Sequence, residues 1–168
     1  AAGAMLVKAY TETSVTPNDF FARAGQRADV SLTFQQMTTA LNYYGVPVEL
    51  RTGLKLGDLA LILTSNRPSI LQVKQAVLQE AGLTPESFSG THHVVAVGLD
   101  VEQVYIHDPL RRDGSGQGLG IPWMVLYQAW SQVPSPRPAL IPRQALLRRV
   151  RIATDTLNVR QGPDATTP

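Results

Sequence analysis

Two stretches in the second half of the chain have the residue pattern of a β-hairpin. The first, His92 to Val97, consists mostly of β-branched or apolar residues, and the second, Val101 to His107, alternates apolar and polar side chains. A tight acidic turn around Asp100 joins them, which indicates an antiparallel pair. All three histidines of the chain, at positions 92, 93 and 107, lie in or beside this hairpin. The hairpin therefore predicts an antiparallel sheet and marks its histidines as the candidate functional residues.

Helical patterns come mainly before this hairpin. Helices are predicted from the first residues of the chain, over Pro17 to Ala24, from a cap at Ser31 to Gly45, over Leu56 to Leu63, and from Ile121 through Trp130. Further strands are predicted at Val48–Leu50, Ser69–Val73 and Pro138–Ile141, while Lys74–Ser89 fits a helix or a loop and Arg111–Gly120, with four glycines, a mobile loop. Helices followed by hairpin strands favour an α+β fold over a doubly wound parallel sheet.

Composition limits the class of protein. The chain has 168 residues, of which 43% are hydrophobic and 17% are charged, as expected for one globular domain and not for a disordered chain. No apolar run approaches the roughly 20 residues of a membrane span. The printed sequence contains no cysteine, which excludes disulfides, thiolate metal sites and a thiol nucleophile within it.

The charge distribution does not indicate a nucleic-acid surface. The chain carries 15 Lys and Arg against 13 Asp and Glu, and five of the arginines lie between residues 135 and 151 without an acid. This tract has no aromatic residue for bases to stack on, so we interpret it as a solvated linker or an edge strand. No nucleic-acid partner is expected; DNA binding, if it occurred, would weaken steeply with salt.

The alternation of strand side chains predicts which hairpin residues can meet. If the turn is the three-residue loop 100–102, Leu99 lies opposite Gln103. His92 and Asp108 then share one face, diagonal to each other, and His93 shares the other face with His107. Three interpretations follow from the spacing: a core histidine satisfied by a carboxylate, the orienting half of a catalytic triad, or a metal site through His93 and His107 that lacks a third ligand.

The hairpin and its flanks also match a known motif set. The segments are G-T-H-H-V-V-A-V-G-L-D at 90–100, V-Y-I-H-D-P at 104–109, I-P at 121–122 and A-W at 129–130. In order and spacing they resemble the C-terminal half of the C39-like cysteine peptidases, a papain-like group. The segments 4–10 and 66–68 resemble that family more loosely, and the resemblance covers about residues 1 to 142.

The resemblance implies a papain-like α+β fold with N-terminal helices packed on a small antiparallel sheet. It implies that His92 is the general base and that Asp108 orients it, in an enzyme that cleaves peptide or amide bonds without a metal or another cofactor. The family's nucleophilic cysteine begins the first helix, which aligns it two or three positions before Ala1. The oxyanion-hole glutamine would lie further upstream. Ser14 and the threonines at 11, 13 and 16 follow that helix, at the wrong end of its dipole.

These features predict that the chain begins inside an element and that its cysteine lies upstream of Ala1. The alternative is a pseudopeptidase that binds peptide or cell-wall ligands without cleaving them. At the other end, L-N-V-R-Q-G-P at 157–163 resembles the first strand of a bacterial SH3-type (SH3b) domain. We therefore divide the chain into a peptidase-like domain at 1–147 and a linker with the first SH3b strand at 148–168. A secreted or cell-surface bacterial protein with a peptide or peptidoglycan-like substrate is expected.

Overall fold

The computed structural model describes residues 2–27, 31–84, 90–111 and 114–146. This part of the chain forms six helices and six strands. The helices are α1 (Ala2–Thr11), α2 (Pro17–Arg23), α3 (Phe34–Tyr43), α4 (Leu56–Thr64), α5 (Gln75–Glu80) and α6 (Trp123–Ser131). The strands are β1 (Val48–Arg51), β2 (Ser69–Lys74), β3 (Thr91–Leu99), β4 (Gln103–His107), β5 (Gln117–Pro122) and β6 (Ala139–Pro142).

The six strands form one antiparallel sheet in the order β1-β6-β2-β3-β4-β5. The last strand, β6, is inserted between β1 and β2, and all four of its residues are buried. The prediction that the arginine-rich tract is a linker or an edge strand is therefore wrong for residues 139–142. An apolar strand with a neighbour on each side satisfies its backbone hydrogen bonds in the interior, whereas the edges of this sheet are β1 and β5.

Helices cover both faces of the sheet. Buried side chains of α1, α2 and α3 pack on one face, against Ile70, Val95 and Leu140. Buried side chains of α4, α5 and α6 pack on the other, against Leu71, Val94, Ile106 and other strand residues of alternate parity. The predicted α+β class is confirmed, as is the packing of the N-terminal helices on an antiparallel sheet. The second helical layer is an addition to that prediction.

Several element boundaries differ from the predictions. The last helix, predicted from Ile121, begins at Trp123, because residues 121 and 122 end strand β5. Helix α3 is capped by Thr33 and not by Ser31, because Thr33 and Gln36 form a reciprocal capping box and Leu32 before them is buried. The glycine-rich segment 111–120 is only partly a loop, since β5 begins at Gln117 and pairs with β4. A Cβ at Gly120 would meet the end of the flexible Gln103 side chain, so glycine there leaves room for that amide beside β5.

The first part of the ambiguous segment 74–89 is the helix α5. Residues 85–89 and the predicted linker and SH3b strand at 148–168 lie outside the described residues. Across the part of the chain that the structure describes, no helix is long and apolar enough to cross a membrane.

Candidate active site

The turn of the β3–β4 hairpin is one residue longer than predicted. Leu99 pairs with Val104, so the predicted pairing of Leu99 with Gln103 is wrong. The backbone N–H of Asp100 donates to the Gln103 carbonyl at 2.9 Å and closes the turn. A β-bulge between Ala96 and Gly98 then shifts the register by one residue.

The bulge compensates for the longer turn. Beyond it, Ala96 pairs with Ile106 and Val95 pairs with His107, which is the register expected from a three-residue loop. His92 consequently has the strand parity of Val94, and Asp108 has the parity of Ile106, so the two residues lie diagonal to each other at the end of the hairpin. The predicted placement of His92 and Asp108 together therefore holds, although the loop length used to derive it does not.

His92 and Asp108 form a close, buried pair. His92 is 8% exposed and Asp108 is 1% exposed. The Nε2 atom of His92 lies 3.8 Å from Oδ1 of Asp108. This distance exceeds that of a hydrogen bond, but it is short enough for the carboxylate to stabilise a positive charge on the ring. The pair can therefore orient an imidazole and support its protonated form.

The loop after β4 holds the Asp108 carboxylate. Oδ1 accepts a hydrogen bond from the Leu110 backbone N–H at 2.9 Å, while the Asp108 backbone N–H donates to the Gly116 carbonyl at 2.8 Å. Oδ2 is buried without a hydrogen-bond partner among the described residues. A Cβ at Gly116 would lie 2.5 Å from the Asp108 carbonyl oxygen, so only glycine fits there without a shift.

The other two histidines do not form a comparable pair. The His93 ring meets Phe34 edge-on, with ring centroids 5.0 Å apart. Burial, and secondarily the neighbouring His92, lower the pKa of His93 from 6.5 to about 4. The Nδ1 atom of His107 accepts a hydrogen bond from the Gly118 backbone N–H at 2.9 Å, and burial lowers the pKa of His107. Within the described ranges, no group of three or more His, Asp or Glu is arranged to hold a metal ion.

A cavity of about 500 Å³ connects the hairpin with the start of α1. Its wall combines both hairpin histidines, the loop after Asp108, the first turn of α1 and residues of α2 and α3. The lining residues are Ala2, Gly3, Pro17, Phe20, Phe21, Ser31, Leu32, Met37, His92, His93, Pro109 and Leu110. Ser14 lines a different cavity, of about 350 Å³, beyond the opposite end of α1. The structure thus places the N-terminal end of α1, and not Ser14, beside the candidate base.

Three contributors to this site carry no signal in the sequence. Gly3 lies under the Phe20 ring, where a Cβ would come within 2.1 Å of a ring carbon, so the first turn of α1 packs tightly at the cavity wall. Gly116 and Arg111 shape the loop that holds Asp108. Each acts through contacts with residues distant in sequence, which spacing and residue type do not reveal.

Comparisons with known proteins find a similarity to solved structures only. No protein-family model matches the chain. No curated protein matches it significantly. The structure is similar to the crystal structure of a protein from Bacillus anthracis that is provisionally described as a C39-like peptidase, with 19% sequence identity and a TM-score of 0.49. The similarity covers 80% of this chain and 72% of that one.

Proposed function

We propose that this domain belongs to a cysteine peptidase that hydrolyses peptide or amide bonds by a Cys-His-Asp mechanism. His92 is the general base, Asp108 orients it, and the nucleophilic cysteine lies in residues preceding Ala1. The observation that carries the proposal is the buried His92–Asp108 pair, 3.8 Å apart, whose histidine lines a cavity that the first turn of α1 also borders.

The arrangement suits thiol activation. With Asp108 on the Nε2 side, the carboxylate favours the tautomer that carries its proton on Nε2, which leaves Nδ1 as the proton acceptor. A thiol at the N-terminal end of α1 would transfer its proton to His92, and the helix dipole would favour the resulting thiolate.

The reaction then follows two acyl-transfer steps. The thiolate attacks the carbonyl carbon, and the tetrahedral intermediate releases the amine as His92 returns the proton to it. Water, deprotonated by His92, attacks the thioester, and the carboxylic acid leaves as the thiol is restored. Asp108 remains a carboxylate throughout and stabilises the imidazolium that forms in each step.

The proposed setting is a bacterial cell surface with peptidoglycan-like peptide as substrate. It rests on the SH3b-like segment 157–163, because SH3b modules of that kind accompany cell-wall enzymes. Secretion of the protein in its source bacterium, assayed by fractionation, would support this setting, and retention inside the cell would contradict it.

The test uses a chain extended upstream through the position aligned with the cysteine. Alkylation by iodoacetamide near pH 6.5 and peptide hydrolysis are measured for the extended protein and for H92A. Loss of the base should slow hydrolysis by about 100-fold to 10,000-fold and slow alkylation, because less thiolate is present.

H107A is the matched control, since His107 is a half-buried histidine on the adjacent strand that does not line the cavity. Its activity should stay within about twofold of the parent protein. The proposal fails if neither alkylation nor hydrolysis depends on His92, or if the aligned upstream position is not a cysteine.

The second candidate is a peptide-binding pseudopeptidase, which would use the cavity beside His92 as a binding site without a nucleophile. In that case an extended chain would bind peptides at the cavity without cleaving them. Calorimetric titration with peptides, combined with chromatography of the peptide afterwards, separates the two functions.

A further inference from the structure

Backbone hydrogen bonds join Asp108 to both halves of the loop between β4 and β5. We refer to its described residues, 108–111 and 114–116, as the Asp108 loop. The Asp108 backbone N–H donates to Gly116 at 2.8 Å, and the Arg111 backbone N–H donates back to the Asp108 carbonyl at 3.3 Å. The Asp108 backbone is therefore held by both halves of the loop.

The Arg111 guanidinium links this loop to a segment distant in sequence. Its Nη2 donates to the Leu83 carbonyl at 2.8 Å, across 28 positions of the chain. Its Nη1 lies 3.3 Å from the Ser115 hydroxyl and 3.4 Å from the Ser115 carbonyl, on the other side of the loop. One side chain thus joins both halves of the Asp108 loop to the segment after α5.

Leu83 is held in place by a backbone hydrogen bond and by packing of its side chain. Its backbone N–H donates to the Leu78 carbonyl at 2.9 Å, which ends α5, and its side chain packs against the core between the sheet and α4–α6. The connection therefore runs from that core through Arg111 to Asp108. Lysine cannot replace it fully, because the guanidinium is a planar fork with several donors whereas an ammonium is a single point charge.

The packing leaves little freedom for the loop to move separately from Arg111. At Gly116, a Cβ would lie 2.8 Å from Cβ of Arg111 and 3.2 Å from Cβ of Asp108. The stem of Arg111 and the Asp108 backbone are therefore in contact with the same buried glycine. A displacement of Arg111 is expected to move Asp108 relative to His92.

We propose that Arg111 is a positioning residue that holds the Asp108 carboxylate beside His92 by tying the Asp108 loop to Leu83. The proposal rests on the proposed function, in which Asp108 orients His92. Arg111 acts through the loop backbone and does not contact the reacting groups.

The test follows the titration of the His92 ring by NMR in the 168-residue chain, and so needs no enzymatic activity. D108N, the reference variant, should move the midpoint to lower pH by about 1 unit, because the carboxylate that stabilises the imidazolium is gone. R111M keeps the apolar stem but not the donors, and it should move the midpoint in the same direction by roughly half as much.

R137M is the matched control. Arg137 is also half-buried and also donates to a distant carbonyl, that of Leu54, at 2.5 Å, but it lies away from the hairpin histidines. R137M should lower the Tm by about as much as R111M does and should leave the midpoint of the His92 titration unchanged.

The outcomes separate the two proposals. An unchanged midpoint in R111M, with a shift in D108N, overturns the role of Arg111 and leaves the proposed function standing. An unchanged midpoint in D108N contradicts the proposed function itself. If R111M does not fold, R111K decides: its three donors sit on one nitrogen and do not reproduce the planar fork that spans Leu83 and Ser115, so its His92 midpoint should lie below wild type, and a wild-type midpoint overturns the proposal.

Discussion

The β3–β4 hairpin has an aspartate at each end of β4, and the two carboxylates have opposite surroundings. At the exposed tip, Asp100 accepts hydrogen bonds from the backbone N–H groups of Glu102 and Gln103, each at 2.8 Å, and from the Tyr105 hydroxyl at 2.5 Å. These hydrogen bonds lower the pKa of Asp100, the bond from the Tyr105 hydroxyl most and the two backbone bonds less. This carboxylate shapes a turn and is fully satisfied by it.

At the base, Asp108 is buried and only partly satisfied. One oxygen accepts from Leu110 and lies near His92, and the other has no hydrogen-bond partner within the described part of the chain. Burying a carboxylate in this way is costly, and a turn alone does not require it, as Asp100 demonstrates. The base of the hairpin is therefore organised around His92, and the tip around its own backbone.

The largest contrast is expected from removing each charge in turn. In the chain extended to carry the proposed cysteine, D108N should reduce kcat/KM by about 100-fold to 10,000-fold. The reason is that the carboxylate no longer fixes the tautomer of the neutral ring or stabilises the imidazolium. D100N should leave kcat/KM within about twofold. Steady-state hydrolysis of a fluorogenic peptide measures both, and equal losses in the two variants would remove the distinction between base and tip.

The stability contributed by the base of the hairpin should also respond to acid at a higher pH than that contributed by the tip. His93 has its pKa lowered from 6.5 to about 4 by burial, so the unfolded chain binds more protons than the folded one between these values. The free energy of unfolding should therefore fall as pH decreases from 6.5 to 4, by up to about 3 kcal/mol from this group.

H93F removes that group and should flatten the curve in this window, as measured by urea denaturation at several pH values. D100N serves as the control and should retain the wild-type slope there. If H93F keeps the full slope, the acid response comes from other groups, among them His107, whose pKa is also lowered by burial.

Two glycine substitutions compare the rigidity of the two ends. In G116A the new Cβ meets the Asp108 carbonyl oxygen at 2.5 Å, a backbone atom that cannot move away alone, so a loss of about 2 kcal/mol is expected. In G120A the new Cβ meets the end of the flexible Gln103 side chain, which can rotate, so a loss under about 1 kcal/mol is expected. Chemical denaturation measures both, and the reverse order would contradict the tight packing at the base.

The smallest effect is expected at the tip. The pKa of Asp100 is lowered from 3.8, so its contribution to stability is present above pH 3.8 and disappears as the pH falls through the lowered value. The Tm of D100N should therefore lie slightly below wild type at pH 7 and approach it in strong acid. A Tm difference that grows on acidification would show that Asp100 has another role.

Much of this organisation could be predicted from local patterns. The helices α1, α2 and α4, the antiparallel hairpin and the common face of His92 and Asp108 follow from residue spacing and capping residues, and the structure agrees with them. A three-residue loop predicts the shared face, and the longer turn of the structure retains that face because a bulge offsets the extra residue. Alternation is therefore a robust guide to faces even where the exact register is missed.

The remaining features depend on residues far apart in sequence. Nothing in the tract around β6 indicates that it lies between β1 and β2, and the positions of Leu83 and Gly116 around Arg111 and Asp108 follow from packing alone. Composition also does not indicate which end of α1 lies beside the histidines.

Local patterns in the sequence sufficed for most element types and for the α+β class, because helical spacing and strand alternation depend on neighbours within a few residues. They also predicted that His92 and Asp108 share a face, although not the turn and bulge that bring the two residues together. The burial of the pair, the cavity between His92 and the first turn of α1, and the link from Arg111 to the core follow only from the folded chain. Such contacts arise when distant segments compete for the same space, and their outcome depends on the shape of the whole core.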